Sequence, residues 1–214
     1  MKVLGIDPGT GVSSPTALAL VDTDTNALVQ YWKVQPDIKQ FNHQQRVAYI
    51  AQEVQYIIYQ ECPDLIFCET FVMQGKSGMM LHQLIGAIMA AAGHRHGTRF
   101  GSVFNTTVKR LVTGNGGADK VEVALGVQKQ LTASTDVLVK LTVAREFDIT
   151  DATAIAIAGV LQGEEIKHER QRGTPIKKDS KRKKSTRSRT NKTRVKKSCR
   201  GGRRIPRRRR NTKY

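Results

Sequence analysis

The order of apolar patterns along this chain predicts an α/β domain: a mixed five-stranded sheet flanked by helices, followed by a basic tail with no core of its own. Three observations predict it. Three strand-like runs precede the first helix, two further strands alternate with helices, and the excess positive charge is confined to the residues after 166.

Val3, Leu4 and Ile6 make a short buried strand that Pro8-Gly9 stops, leaving Asp7 at its tip. Residues 16–21 and 27–34 read as two more strands separated by Asp22-Thr23-Asp24-Thr25-Asn26, so strands 1 to 3 are expected to form an antiparallel meander. Between 42 and 60 the residues Val47, Ile50, Val54, Ile57 and Ile58 recur at helical spacing, and Pro63 is expected to end that helix. Asp64 to Cys68 is a short buried strand leading to Glu69. A strand reached through a helical crossover joins the sheet parallel to an earlier strand, so strand 4 is expected beside strand 1, with Asp7 and Glu69 facing each other across one crevice. A helix rich in Met and Ala follows over 78–96, then strand 5 over 99–104, also parallel to strand 1. A short helix over 106–112, the loop Thr113-Gly114-Asn115-Gly116-Gly117 and a helix over about 118–131 come next. Residues 132–147 carry no clear pattern, and a last helix is expected over about 149–161.

The chain has 36 Lys and Arg against 18 Asp and Glu, a net charge of +18. From Lys167 to Tyr214 there are 23 basic residues against Glu169 and Asp179 alone, which leaves residues 1–166 at net −3. The tail is nearly devoid of apolar residues and is expected to be disordered in isolation. Its runs Lys181-Arg182-Lys183-Lys184 and Arg207-Arg208-Arg209-Arg210 suit a polyanion. Nucleic acid fits better than an anionic membrane, because aromatic and aliphatic anchors are missing; a solubility or targeting role is the plainer alternative. Cys62, Cys68 and Cys199 stand apart without zinc spacing, as in a reducing, cytoplasmic setting. The first apolar run breaks at Asp7-Pro8, unlike a secretory signal, and Leu84 to Gly93 is too short to span a bilayer.

Asp7 alone reads as a turn aspartate bonding its own backbone. Asp148 and Asp151, three apart at the start of the last helix, share a face and can point at one object, although an acid at the N-cap with another at the third position is also an ordinary helix start. Taken together, Gly5-Ile6-Asp7-Pro8-Gly9-Thr10, the strand ending in Glu69, and Asp148-x-x-Asp151-Ala152 resemble the RuvC-type Holliday junction resolvases of the RNase H-like superfamily over residues 1–165. Lys109 and Lys120 match that family's two lysines eleven apart. Departures are present: Val72 stands where the family often has an aromatic, with Phe71 one step earlier as a candidate DNA wedge, and residues 11–15, 132–147 and the tail do not follow the cellular pattern. They suggest a divergent branch, a viral (phage) type among the alternatives.

The resemblance implies an RNase H-like nuclease domain over 1–166 and an endonuclease that cuts four-way DNA junctions, leaving 5′ phosphate and 3′ hydroxyl ends. Asp7, Glu69, Asp148 and Asp151 would hold two Mg²⁺ ions, with Mn²⁺ able to substitute, because hard oxygen ligands select these cations. Lys109 and Lys120 would meet phosphates, or else form a solvated helix face. Two symmetric cuts ask for a homodimer, for which helix 78–96 is the candidate interface. Rival readings are an actin-like ATPase, for which residues 1–166 are too few, a non-catalytic DNA-binding or packaging protein, and an RNase H-like nuclease for flaps or RNA.

Overall fold

In the computed structural model, which describes residues 1–10, 14–70, 75–93 and 98–171, the sheet order is β3-β2-β1-β4-β5. Lys2–Asp7 (β1) pairs antiparallel with Thr16–Asp22 (β2), which pairs antiparallel with Ala27–Val34 (β3). On its other side β1 pairs in parallel with Leu65–Thr70 (β4), and β4 in parallel with Arg99–Phe104 (β5). The expected meander and both expected parallel pairings are therefore present.

The side chains of the central strands divide between two layers with the period-two alternation of a pleated sheet. Leu4, Ile6, Leu18, Leu20, Ile66 and Cys68 face His43–Glu61 (α1) and Gly75–Gly93 (α2). Val3, Ala17, Ala19, Val21 and Val103 face the remaining helices: Asn105–Thr113 (α3), Lys120–Gln130 (α4), Thr135–Val143 (α5) and Phe147–Gln171 (α6). Both layers are apolar, as expected of strands buried on both faces.

Local signals explain most helix ends. Asn42 caps α1 in a reciprocal pair with Gln45, and the helix stops at Cys62 in the left-handed region, one residue before Pro63. Asp119 and Glu122 make the same reciprocal cap on α4. The stretch without a clear pattern folds as a 3-10 turn, Thr132–Ser134, followed by α5. Its helical period is masked because the exposed side also carries apolar residues, Val137, Val139 and Val143, beside the buried Leu138 and Leu141. Helix α2 begins three residues before the expected start, and 94–96 lie outside the described residues, as do Phe71 and the tail runs 181–184 and 207–210. Helix α6 begins earlier and runs further than expected, past residue 166 to Gln171.

From Ile149 to Gly159 helix α6 is largely buried, with β1, β2, β4 and β5 beneath and α3, α4 and α5 around it. Such a position demands small residues where backbones approach. A Cβ on Gly5 would lie 2.0 Å from the carbonyl oxygen of Ala152 and 2.7 Å from the nitrogen of Ala156. Gly5→Ala is therefore expected to cost about 1–3 kcal/mol by overpacking and to lower Tm by about 4–10 °C. Gly163→Ala, where an added methyl meets open space, should leave Tm level or raise it; thermal melts of the two variants followed by circular dichroism check the contrast.

Candidate active site

Parallel pairing of Ile6 with Cys68 makes the next residues of each strand, Asp7 and Glu69, neighbours at the C-terminal tips of β1 and β4. By alternation both point to the α6 layer, since Val3 and Phe67 on the same strands pack there. Glu69 is only 5% exposed. The contact of Gly5 with Ala152 sets the height of α6 on the sheet, and Asp151 immediately precedes Ala152. Thus strand adjacency supplies two acids and helix packing a third.

Glu69 and Asp151 line one small cavity of about 20 Å³ together with Asn105, Val108, Lys109, Val123 and Ile155. Such a space holds about one water and no nucleotide, so a substrate phosphate would have to approach from its rim. Asp7 reaches the cavity through Glu69, to which it is hydrogen-bonded. Asp148 lies in the first turn of α6, which begins at Phe147, and not at the N-cap as expected. Its charge acts on both Asp7 and Asp151.

Burial pushes the Asp7 carboxyl up to about 8, and the charges of Glu69, Asp151 and Asp148 and the hydrogen bond that Asp7 donates to Glu69 push the same way. Burial also raises Glu69, against the lowering effect of its bonds with Asn105 and Asp7 and of the Lys109 charge. In that pair Asp7 holds the proton and donates. Burial likewise raises Asp151, opposed by Lys120, whose Nζ stands 3.5 Å from Asp151 Oδ2.

The lysines arrive from two helices joined by the Gly-rich loop. Gly114 ends α3 with φ 82°, Thr113 Oγ1 accepts from Asn115 N, and Asn115 Oδ1 accepts from Gly117 N, folding the connection tightly. Lys109 lies on α3 in the cavity wall, and Lys120 opens α4 between Asp151 and the Phe147 ring, 5.9 Å from its centroid. Both lysines that the spacing singled out therefore stand at the acids.

Three contributors escape the sequence. Asn105 Nδ2 donates to Glu69 Oε1 at 2.7 Å. Arg46, buried in α1, donates from Nε to the Thr10 carbonyl at 3.3 Å and from Nη1 to Phe41 at 3.0 Å, bracing the chain that leaves Asp7. Thr16 Oγ1 clamps the same turn by accepting from Gly9 N at 3.1 Å and donating to Gly9 O at 2.7 Å. An Asn four residues before Lys109 on a helix is the one visible hint; the other two depend on tertiary neighbours.

The donor set suits a hard divalent cation: carboxylates only, buried, and mutually repelling until a positive charge joins them. Among the described residues, however, no three His, Cys, Asp or Glu side chains are gathered closely enough to form a ready-made ion cage. Instead Asp7 is hydrogen-bonded to Glu69, and a lysine faces Asp151. No helix among the described residues is long and apolar enough to cross a membrane.

Comparison with known proteins then decides the family. The model of the crossover junction endodeoxyribonuclease RuvC family matches residues 3–159. The chain belongs to that family. The RuvC of Chlorobium phaeovibrioides is 33% identical over 169 residues, 76% of this chain and 82% of the relative, and that of Pelodictyon phaeoclathratiforme is 29% identical over 166 residues, 76% and 81% of the two chains. In fold, the RuvC structure from Thermus thermophilus superposes with a TM-score of 0.61 at 24% identity, covering 77% of this chain and 96% of that one. The yeast mitochondrial Holliday junction resolvase gives 0.55 at 13% identity, covering 79% and 83%. The family's matched span takes in all four acids and both lysines.

The sign of the Asp7 shift fixes a stability profile. A carboxyl near 8 in the fold and near 3.8 unfolded is protonated only in the folded state between those values, so stability falls as pH rises from about 4 to 8 and levels above. In chelator, Tm should decline across that window. Asp7→Asn should flatten the decline and raise Tm at pH 8 by several degrees, as read from melts at stepped pH.

Proposed function

We propose that this chain is a Mg²⁺-dependent, structure-selective endodeoxyribonuclease that hydrolyses phosphodiesters at four-way DNA junctions, leaving 5′ phosphate and 3′ hydroxyl ends. The observation that carries the reading is the juxtaposition of Asp7 and Glu69 on adjacent parallel strand tips with Asp151 packed over them from α6. Membership in a family named for crossover junction endodeoxyribonucleases supports it. So does a solved relative, the T. thermophilus RuvC in complex with Holliday junction substrate.

Asp7, Glu69 and Asp151, with Asp148 beside them, would hold two Mg²⁺ ions, Mn²⁺ substituting. When bound, the ions would activate the attacking water and stabilise the leaving 3′ oxygen. The protein's own part is to gather these carboxylates at one point and to exclude bulk water from a cavity that admits about one molecule. Closing that set around cations requires Asp7 to give up its proton and Asp151 to loosen its pairing with Lys120. Lys120 and Lys109 then turn their charge to the phosphates flanking the cut.

Affinity comes from elsewhere. A domain of net −3 is a poor polyanion surface, and the basic residues after 166, including Lys181, Arg182, Lys183, Lys184 and Arg207 to Arg210, supply contacts that release counterions without reading sequence. Phe71 is the candidate wedge at the branch. Two copies joined through α2, whose Met79 and Met89 are exposed, would make the paired cuts. The setting would be cytoplasmic, of the host if the branch is viral.

Incubating the protein and Mg²⁺ with a labelled four-way junction, a Y-junction and a plain duplex tests the reading. Junction cleavage should exceed duplex cleavage, and Asp7→Asn should lower it by roughly a thousandfold or more. Duplex cut as fast as junction would leave a nuclease without the junction assignment; flap or RNA cleavage would favour the other RNase H-like reading, and unchanged function in Asp7→Asn a binding protein. Ending the chain after Gln171 should weaken junction binding steeply and flatten its dependence on salt, while slow cleavage at low salt persists. Equal binding across a salt titration would count against a DNA-holding tail.

A further inference from the structure

The geometry points to Asn105 as a positioning residue that fixes the Glu69 carboxylate for divalent-cation binding, an inference that rests on the nuclease reading above. Asn105 is the first residue beyond β5, whose Val103 is the register partner of Glu69. Alternation carries Val103 and Asn105 to the face on which Glu69 points. The Asn105 amide donates to Glu69 Oε1 at 2.7 Å, at the short end for an N–H donor and in the range of charge-assisted bonds.

Its place in the helix argues that the side chain is there for Glu69. Asn is a preferred N-cap residue, yet here the N-cap is Phe104, with no side-chain cap bond, and Asn105 follows one position later. An Asn at the N-cap would stabilise α3; at its actual position it adds no cap and directs its amide to the acid. Four residues on, Lys109 lines the same cavity. The first two turns of α3 thus present a neutral donor and a cation to one carboxylate.

The two act differently. Lys109 offsets charge that a metal would otherwise use, whereas an amide holds one oxygen in place and leaves the full negative charge on the group. With Oε1 held, rotation of the carboxylate is restricted. Residues that orient a ligating carboxylate in this way typically govern metal affinity by about 10–100-fold.

Asn105→Ala and the similarly sized Asn105→Leu remove the donor at an exposed helix position, so both should fold with Tm within about 2 °C of native. Mn²⁺ titration of the DNA-free full chain, followed by electron paramagnetic resonance, should show affinity about tenfold weaker in both. Junction cleavage should need correspondingly more Mg²⁺, kcat should recover at saturating Mg²⁺, and KM for the junction should stay unchanged. Unaltered Mn²⁺ affinity in both variants overturns the inference, as does a rise in junction KM alone, which would make Asn105 a DNA contact. The metal titration uses no DNA: native protein that binds Mn²⁺ yet cuts no branched substrate would remove the proposed function, and the variants' titrations would still decide the role of Asn105.

Discussion

The approach of α6 to β1 at Gly5 is the contact on which the rest of this structure depends. Ala152 and Ala156 rest against a strand position with no side chain, and one turn further Gly159 meets the Phe67 ring of β4, whose other side is packed on Gly101 of β5. Three strands and one helix are thereby locked at a spacing that no larger residue at Gly5 or Gly159 permits. Helices and sheets are ordinarily separated by side chains; removing those side chains lets a short aspartate on the helix come near acids on strand tips. The same close packing buries the carboxylates, and burial is the largest cause of the raised titration of Asp7, Glu69 and Asp151.

Burial and repulsion decide how the acids are held without a cation. Two carboxylates about 4 Å apart repel by about 4 kcal/mol at an effective dielectric constant of 20, enough to favour one shared proton over two charges. The charge of Glu69 accordingly adds to burial in raising Asp7. Lys120 is 60% exposed, and a pair of that kind contributes about 0–1 kcal/mol, so its hold on Asp151 is readily exchanged. The Asn105 bond to Glu69 involves no charge on the donor and nothing to exchange for. The site therefore combines contacts that yield with one that stays.

Much of this was legible in the amino-acid sequence, because the strongest signals there are local or topological. Strand tips at Asp7 and Glu69 follow from apolar runs broken by polar residues, and their adjacency from the handedness of a single crossover. The i, i+3 spacing of Asp148 and Asp151 places both on one helix face, although the helix starts at Phe147, so capping does not explain Asp148. The lysines at 109 and 120 were legible through a resemblance and not through periodicity. Helix α5 was hidden because valines on its exposed side blur the 3.6-residue period. Asn105, Arg46 and Thr16 were hidden for a different reason: each acts on a partner at least seven residues away, and nothing in the neighbouring sequence distinguishes such a side chain from an ordinary polar one.

The segregation of charge along the chain follows from the same electrostatics. A site made of carboxylates attracts every mobile cation within reach, and Lys120 shows what a basic side chain on a neighbouring helix does there: it pairs with the acid. Adding to the folded domain the positive charge needed to hold a polyanion would multiply such pairings and compete with divalent ions for the acids. Within the proposed function, carrying that charge in the basic residues after 166 avoids the conflict. Under that reading the tail's lysines and arginines would gain by counterion release along the phosphate backbone, while their attraction to single exposed carboxylates would be screened beyond about 8 Å at physiological salt. Holding and cutting would then draw on opposite charges in separate stretches of one chain, with Lys109 and Lys120, on α3 and α4 at the edge of the crevice, belonging to both.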